Sequence, residues 1–245
     1  MSFEILYKDD LIIAGNSVRN GDVDAGPYDG FSVCGYTGDS EAHTGACRDE
    51  LAEFMGVERH DIVQCRQTHS TNVYVVESVD VMTEIPYGYD AIVTRLKNVV
   101  IGVNTADCVS LAMFDKKAGV IGVAHAGWRG AVAGIAVNTL KKMVEMGAKV
   151  ENIKGYFGPS IGECCFEVGE EVALCFPEEF VTRQEGEKPH VNLAGFVKRQ
   201  LENEGVKAET LILNENCTRC NQSRYFSARA LGIESGRIFT FIMRR

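Results

Sequence analysis

The stretch CVSLAMFDKKAGVIGVAHAGWRG, residues 108–130, decides the fold class. Two apolar runs flank the segment DKKA, a connection short enough for a β-hairpin and marked by Asp and Gly. Beyond the second run, apolar residues at helical spacing (Val132, Ile135 and Leu140) predict a helix that follows at once and ends at Gly147. Strands joined by hairpin-length connections, rather than alternating strictly with helices, predict an α+β or mixed-sheet fold.

The same hairpin brings a cysteine towards a histidine. Pairing Phe114 with Gly119 across a four-residue turn places Cys108 directly opposite His125, with Cβ atoms about 5 Å apart on one face. That placement suits a thiol beside an imidazole, or two ligands of one metal ion. A slip of one residue would put the two side chains on opposite faces. A histidine at the end of an apolar strand is otherwise an ordinary core residue, so both interpretations of His125 stay open.

Composition and charge exclude several classes of protein. The 245 residues are 45% hydrophobic and 24% charged, as in an ordinary soluble globular chain. A net charge of −9 argues against nucleic acid or an anionic membrane as the partner. The segment MSFEILYKDDLIIAG has neither a signal peptide nor a spanning helix, and nine cysteines indicate free thiols in a reducing compartment. We expect a cytoplasmic protein.

The rest of the chain shows no linker, low-complexity tract or repeat, so we predict one domain spanning residues 1–245. Residues 20–46 are rich in Gly, Asp and Tyr and predict a long ordered loop. A helix should follow and end at Gly56, and residues 61–79 should be extended across His69. The last part of the chain predicts helices in EEVALCF and NLAGFVKRQLENEG and strands in ETLILN and RIFTFIM.

Cysteine and imidazole are favoured zinc ligands, and a third ligand with an open fourth position would make a catalytic site. His69, in CRQTHSTN, is the best third candidate, although sequence spacing alone cannot bring it close. The segment CTRC, residues 217–220, has the spacing of half a zinc site, but no second Cys-x-x-Cys completes it. Adjacent Cys164 and Cys165 point differently along an extended chain, so we expect both sets to be loop or core thiols.

The chain resembles the laccase-domain family, also called polyphenol-oxidase-like or peptidoglycan editing factor proteins. The resemblance rests on QTHSTNV (67–73), DAIVT (90–94), TADC (105–108), AHAGWRG (124–130), GPSIGECCFEVGEEV (158–172), CTRC (217–220) and YFSAR (225–229). It implies a single α+β domain of mixed, mainly antiparallel β-sheets flanked by helices, a fold similar to the catalytic domain of cytotoxic necrotising toxins. It also implies one zinc ion bound by His69, Cys108 and His125.

Some members of that family are purine nucleoside phosphorylases. The resemblance therefore implies zinc-dependent phosphorolysis of adenosine, inosine and methylthioadenosine to ribose 1-phosphate and free base, with accompanying adenosine deaminase activity. The partners would be a small purine nucleoside and phosphate. Arg48, near the start of a predicted helix, is the candidate for phosphate, because helix N-termini also favour anions. Arg229 and Arg129 are further candidates, and each of the three arginines has a structural alternative as a surface residue or a brace.

Deamination can be derived from a zinc site, because the metal activates water that could attack C6 of adenine. A carboxylate would carry the proton, and Asp107, beside Cys108, is one choice; capping the turn or orienting a ligand is the other. With copper in place of zinc, a polyphenol oxidase is an alternative, although five histidines are few for multicopper chemistry. A hydrolase acting on peptidoglycan precursors, with Cys108 as nucleophile and His125 as base, is a further alternative.

Overall fold

Two mixed β-sheets stacked face to face carry helices on their outer faces in the computed structural model, which describes residues 2–79 and 85–245. The strands in chain order are β1 (Phe3–Lys8), β2 (Ile12–Ser17), β3 (Ile62–Gln64), β4 (Val73–Val76), β5 (Ala91–Thr94), β6 (Val100–Thr105), β7 (Val109–Asp115), β8 (Val120–Ala126), β9 (Lys154–Phe157), β10 (Val181–Thr182), β11 (His190–Val191), β12 (Leu211–Ile212) and β13 (Ile238–Arg244). The α-helices are α1 (Glu41–Met55), α2 (Trp128–Val132), α3 (Ile135–Glu145), α4 (Glu170–Ala173), α5 (Leu193–Asn203) and α6 (Ala228–Leu231).

The sheets confirm the predicted α+β class. One has six strands in the order β12-β9-β7-β8-β5-β4, and the other has five in the order β1-β2-β13-β6-β3. Three neighbouring pairs are parallel, namely β3 with β6, β4 with β5 and β9 with β12. The remaining pairs in these sheets, and the short ribbon of β10 and β11, are antiparallel. The mainly antiparallel pairing agrees with the hairpin-length connections in the sequence.

Apolar side chains fill three layers of core. Between the sheets lie residues such as Ile101, Ile121 and Ile242. On the outer face of the six-stranded sheet, α3 and α5 bury Leu140, Met143 and Val197, among others. The five-stranded sheet is covered by α1 through Leu51 and Met55, which join the cluster that contains Phe239 and Phe241. Burying one such side chain contributes roughly 1.5–3 kcal/mol to the free energy of folding. The hairpin of β7 and β8 has apolar side chains buried on both faces, so it is held between two cores.

The hairpin of β7 and β8 forms as predicted, but its predicted register is wrong by two residues. Phe114 pairs with Ile121, and Ser110 rather than Cys108 lies opposite His125. The turn consists of residues 116–119 because the carboxylate of Asp115 accepts hydrogen bonds from the N–H groups of Lys117 and Ala118. A shift of two residues keeps every side chain on its predicted face, so Cys108 still belongs to the face of His125.

Three other element predictions need correction. Helix α1 begins at Glu41, with Ser40 as its N-cap, so the end of the predicted loop is helical. The helix after β8 is two helices, because Gly134 at φ 88° interrupts it. The chain is not extended across His69; that residue has φ 60° in a turn between β3 and β4. Among the described helices, none combines the length and apolar composition needed to cross a bilayer.

Candidate metal centre

The side chains of His69, Cys108 and His125 lie together. Their donor atoms are all within 4.8 Å of one another, and the Nε2 atom of His69 lies 3.7 Å from the Sγ atom of Cys108. The two imidazole rings meet edge to face with centroids 4.8 Å apart. His125 is buried, Cys108 is partly exposed and His69 is exposed, so the group opens to solvent on one side.

Each donor reaches the group from a different part of the sheet. Cys108 directly precedes β7, and His125 lies near the end of β8. His69 arrives from the turn before β4, where its backbone is in the left-handed region that non-glycine residues rarely adopt. Such a conformation costs of order 1–3 kcal/mol and persists only where surrounding contacts fix it.

The buried carboxylate of Asp90 supplies those contacts. It accepts hydrogen bonds from the backbone N–H groups of Thr68, His69 and Ser70, at 3.1, 2.9 and 2.7 Å. It also contacts Nδ1 of His125 at 2.7 Å, which leaves Nε2 of that ring as the free donor. Burial would raise the pKa of Asp90, but the hydrogen bond and charge of His125 and hydrogen bonds from Ser70 lower it to about 2. Asp90 was not among the predicted site residues, although it begins DAIVT, one of the segments on which the family resemblance rests.

The electrostatics of Cys108 and His125 are coupled. Burial alone would raise the pKa of the Cys108 thiol, but the charge and hydrogen bond of His125, together with His69, lower it to about 6. Burial would lower the pKa of His125, but the Cys108 thiolate and the Asp90 carboxylate raise it to about 9. The two groups therefore stabilise each other as a thiolate and an imidazolium, the arrangement of an activated cysteine.

At Gly127 the backbone passes close to the side chains of His69 and Cys108. A Cβ atom added there would lie 2.3 Å from Cδ2 of His69, 2.8 Å from its Nε2 and 3.1 Å from Sγ of Cys108. Only glycine lets the chain pass so near and then turn into α2. The glycine at position 127 of AHAGWRG is therefore explained by the approach of the backbone to the site.

Asp107 has φ 83°, and its carboxylate is fully engaged. One oxygen accepts from the hydroxyl of Thr218 at 2.6 Å, and the other from the backbone N–H of Arg229 at 2.7 Å. Its carbonyl accepts from the N–H of Ile161 at 2.8 Å. Of the two roles weighed for Asp107, these contacts support the one that fixes the turn and orients Cys108.

A cavity of about 550 Å³ lies over the three donors. Such a volume is ordinary for a small-molecule site. Its walls include two aromatic rings, Tyr36 and Tyr87, and three charged side chains, Arg66, Glu234 and Arg237. The guanidinium of Arg66 lies over both rings, at 6.0 and 5.5 Å from their centroids. Sequence reasoning missed these residues because they come from separate loops and strand ends, with no motif to connect them.

The three predicted arginines do not line the cavity over the three donors. Arg48 is in the middle of α1, not near its start; it donates from Nε to the carbonyl of Val33 and lines a recess beside the cavity. Arg129 is exposed, and its guanidinium lies 4.3 Å from the ring centroid of Trp128. The guanidinium of Arg229 donates to the carbonyl of Glu167.

The donor set fits a divalent metal ion. Around a tetrahedral zinc ion, typical Zn–S and Zn–N bonds separate sulfur from nitrogen by about 3.6 Å. The observed separation of 3.7 Å between Cys108 and His69 matches that value. The second nitrogen of His125 is held by a carboxylate, as is usual for metal-binding histidines.

The fold and the site together define a laccase-like domain, in which stacked mixed sheets bring two histidines and a cysteine to one cavity. Residues 13–245 match the family described as "multi-copper polyphenol oxidoreductase laccase", and the chain belongs to that family. The structure is similar to that of YfiH from Bacillus licheniformis, with a TM-score of 0.88 and 23% identity over 99% of each chain. YlmD from Geobacillus stearothermophilus gives 0.86 and 28% identity, covering 96% of this chain and 92% of the other.

Relatives with similar sequences have the names of enzymes that act on purine nucleosides. A prokaryotic protein named adenosine deaminase RL5 is 40% identical, with 94% of this chain and 93% of the relative aligned. A purine nucleoside phosphorylase of Bacteroides thetaiotaomicron is 36% identical, with 93% and 89% aligned. These names support the general activity class that the motifs implied.

Proposed function

We propose that the chain is a zinc-dependent purine nucleoside phosphorylase with accompanying adenosine deaminase activity. The observation that carries the proposal is the cavity that joins three metal-binding side chains, two aromatic rings and two arginines. An aromatic wall suits a purine, and cationic side chains suit phosphate. The names of the relatives support the same substrate class. All nine cysteines are free thiols, which agrees with a cytoplasmic location.

His69, Cys108 and His125 would hold the metal. When bound, zinc with an open fourth position supplies Lewis acidity at the floor of the cavity. Asp90 keeps Nε2 of His125 aimed at the site, and Asp107 holds the turn that presents Cys108. Both carboxylates are thus positioning residues. Glu234, on the wall of the cavity, is the carboxylate that we assign to proton transfer in deamination.

Phosphorolysis forms a bond from a phosphate oxygen to C1′ of ribose while the bond from C1′ to the purine nitrogen breaks. The protein must hold two anionic species together, the attacking phosphate and the departing base. Within residues 2–79 and 85–245 the guanidinium of Arg66 has no ion-pair partner, and Arg66 lines both the cavity and the recess that contains Arg48. We assign phosphate binding to Arg66, with Arg48 beside it, and we assign no substrate contact to Arg129 or Arg229.

The test is to incubate purified, zinc-loaded protein with adenosine, with and without phosphate, and to separate the products. Adenine formed only with phosphate demonstrates phosphorolysis, and inosine demonstrates deamination. Cys108→Ser should abolish both activities, while Cys175→Ser, at an exposed thiol, should keep them. If wild-type protein forms neither product, the proposal is wrong.

One observation favours a second function. A thiol with a pKa near 6 beside a buried histidine is the arrangement of a cysteine hydrolase, in which Cys108 would attack an amide carbonyl. Rapid alkylation of Cys108 at neutral pH in zinc-saturated protein would support that function, because a bound metal would block the thiolate.

Copper-dependent phenol oxidation has less support, because two of the remaining histidines lie away from the site. His43 contacts Asp39, and His190 contacts the carbonyl of Glu163.

A further inference from the structure

Four further thiols form a second cluster, Cys164, Cys165, Cys217 and Cys220, which we call the cysteine cluster. Their sulfur atoms all lie within 4.8 Å of one another. Cys220 is 3.4 Å from Cys165 and 3.8 Å from Cys164, and the two adjacent cysteines are 3.8 Å apart. The sequence offered no second pair for CTRC. The fold brings the Cys164–Cys165 pair to CTRC, so these loop thiols, which no sequence pattern connects, lie together.

Backbone contacts hold the two loops of the cluster together. Ser160 forms an isolated bridge with Cys217, and the N–H of Thr218 donates to the carbonyl of Ser160 at 3.0 Å. The turn that presents Cys165 closes through its N–H to the carbonyl of Gly162 at 2.9 Å. A Cβ atom at Gly162 would lie 3.2 Å from both Sγ of Cys164 and Cβ of Cys217. The loops are thus packed against each other at the cluster itself.

The distances match a tetrathiolate metal site. Typical Zn–S bonds of about 2.3 Å around a tetrahedral centre separate the sulfurs by about 3.8 Å. The sulfur–sulfur separations among Cys164, Cys165 and Cys220, from 3.4 to 3.8 Å, lie close to that value and are far longer than a disulfide bond of about 2.05 Å. Cys217 and Cys220 have the Cys-x-x-Cys spacing that is usual in structural zinc sites, and the adjacent Cys164 and Cys165 supply two further thiols from a second loop.

We propose that the cysteine cluster binds one zinc ion, as a structural site separate from the His69, Cys108 and His125 centre. The two sites share no residue. The bound ion would offset part of the negative charge of the four thiolates, and Arg219, whose Nη1 atom lies 3.8 Å from Sγ of Cys165, would offset more of it. Each thiol that binds gives up a proton, and no oxidant or reductant is needed.

The proposed ion would act on the first site through Asp107. Thr218 lies between Cys217 and Cys220 and donates its hydroxyl to Asp107, the residue before Cys108. The carbonyl of the same Asp107 accepts from Ile161, in the other loop of the cluster. Zinc in the cysteine cluster would therefore hold both loops that position the turn carrying Cys108.

The first experiment counts zinc per chain by elemental analysis in protein purified under reducing conditions with zinc. We expect two equivalents for the wild type and for Cys175→Ser, which changes an exposed thiol outside both sites. Cys220→Ser and Cys165→Ser should each lose one equivalent, and Cys108→Ser should lose the other. If Cys220→Ser and Cys165→Ser keep the wild-type content, the cysteine cluster holds no zinc, whatever the result for Cys108→Ser.

A second experiment begins with the wild-type chain, so that misfolding of a variant cannot decide the labelling result. Alkylation followed by peptide mapping should label exposed Cys175 at once and leave exposed Cys164 and Cys220 unlabelled until a chelator is added. Cobalt in place of zinc should give the sulfur-to-metal absorption of a tetrathiolate, and Cys108→Ser should keep it. Immediate labelling of Cys164 and Cys220, or a disulfide between Cys165 and Cys220 in reduced, zinc-loaded protein, would overturn the proposal.

Discussion

At the scale of single residues, the site depends on backbone positions that few side chains tolerate. His69 and Asp107 both have positive φ, and Gly127 passes within contact of two donor side chains. We predict that Gly127→Ala weakens zinc binding at His69, Cys108 and His125. Overpacking costs typically about 1–3 kcal/mol, which corresponds to about 5- to 150-fold in affinity. Competition with a chelator measures the loss of affinity.

The control for this prediction is Gly45→Ala, because the added Cβ would meet only the flexible end of Arg59, at 3.1 Å. Equal zinc affinities for Gly127→Ala and Gly45→Ala would contradict the prediction.

Arg66 gives a second residue-scale prediction. Its guanidinium is the cation that we assign to phosphate, and a hydrogen bond to a charged group contributes about 1.5–3 kcal/mol. Arg66→Ala should therefore raise KM for phosphate about 10- to 100-fold, while deamination of adenosine, which uses no phosphate, changes little. Initial rates at varied phosphate provide the measurement, and Arg95→Ala, at an exposed arginine outside the cavity, is the control. A parallel loss of both activities would assign Arg66 to the nucleoside instead.

At the scale of elements, the hairpin of β7 and β8 carries the site, and Asp115 sets its register. The buried carboxylate accepts from the N–H groups of Lys117, Ala118 and Lys149. Asp115→Ala leaves these donors without their acceptor, so we expect a loss of about 1–3 kcal/mol in the free energy of unfolding at pH 7. Urea denaturation measures it, with exposed Asp10→Ala as a control that should change little.

The same contacts predict a pH dependence. Burial would raise the pKa of Asp115, but the hydrogen bond from Lys149 and the others lower it below its usual value of about 4. The stabilisation is therefore fully present above the unfolded-state pKa and is lost as the pH falls through the lower folded-state pKa. The difference between wild type and Asp115→Ala should stay constant from pH 7 down to about pH 4 and shrink below it. A difference that grows on acidification would show that Asp115 is protonated in the native state.

The hairpin also shows how far the sequence predicts the site. Successive side chains of a strand point to opposite faces, so a register error of two residues still leaves Cys108 and His125 on one face. The turn residues were misjudged because the Asp115 carboxylate completes the turn one residue later than composition indicates. Only the family resemblance placed His69 in the predicted ligand set. In the structure Asp90 holds His69 near His125, because its carboxylate contacts both residues. Contacts between distant loops, such as Arg66 with Tyr87 or Cys164 with Cys220, have no local signal in one sequence.

At the scale of the whole molecule, the last strand of the chain lies in the middle of the five-stranded sheet. Strand β13 pairs with both β2 and β6, and Thr240 hydrogen-bonds to Ser110 of β7 across the two sheets at 2.7 Å. Each sheet pairs strands that are far apart in sequence, and the two sheets share the core that contains Ile242. We infer that the layers unfold together, in one cooperative transition.

Ile242 tests that inference. It is fully buried between the two sheets, whereas the only tryptophan, Trp128, packs on the helical side of the six-stranded sheet. Ile242→Ala should reduce the free energy of unfolding by about 2–5 kcal/mol, and Ile212→Ala, on the exposed edge strand β12, by much less. Because the layers unfold together, the urea midpoint from Trp128 fluorescence should fall by the same amount as the midpoint from far-UV circular dichroism. The inference is wrong if the fluorescence midpoint stays at the wild-type value while the dichroism midpoint falls. The two sides of the six-stranded sheet would then unfold independently. In that case the metal centre at the end of β8 would not depend on β13 for its stability.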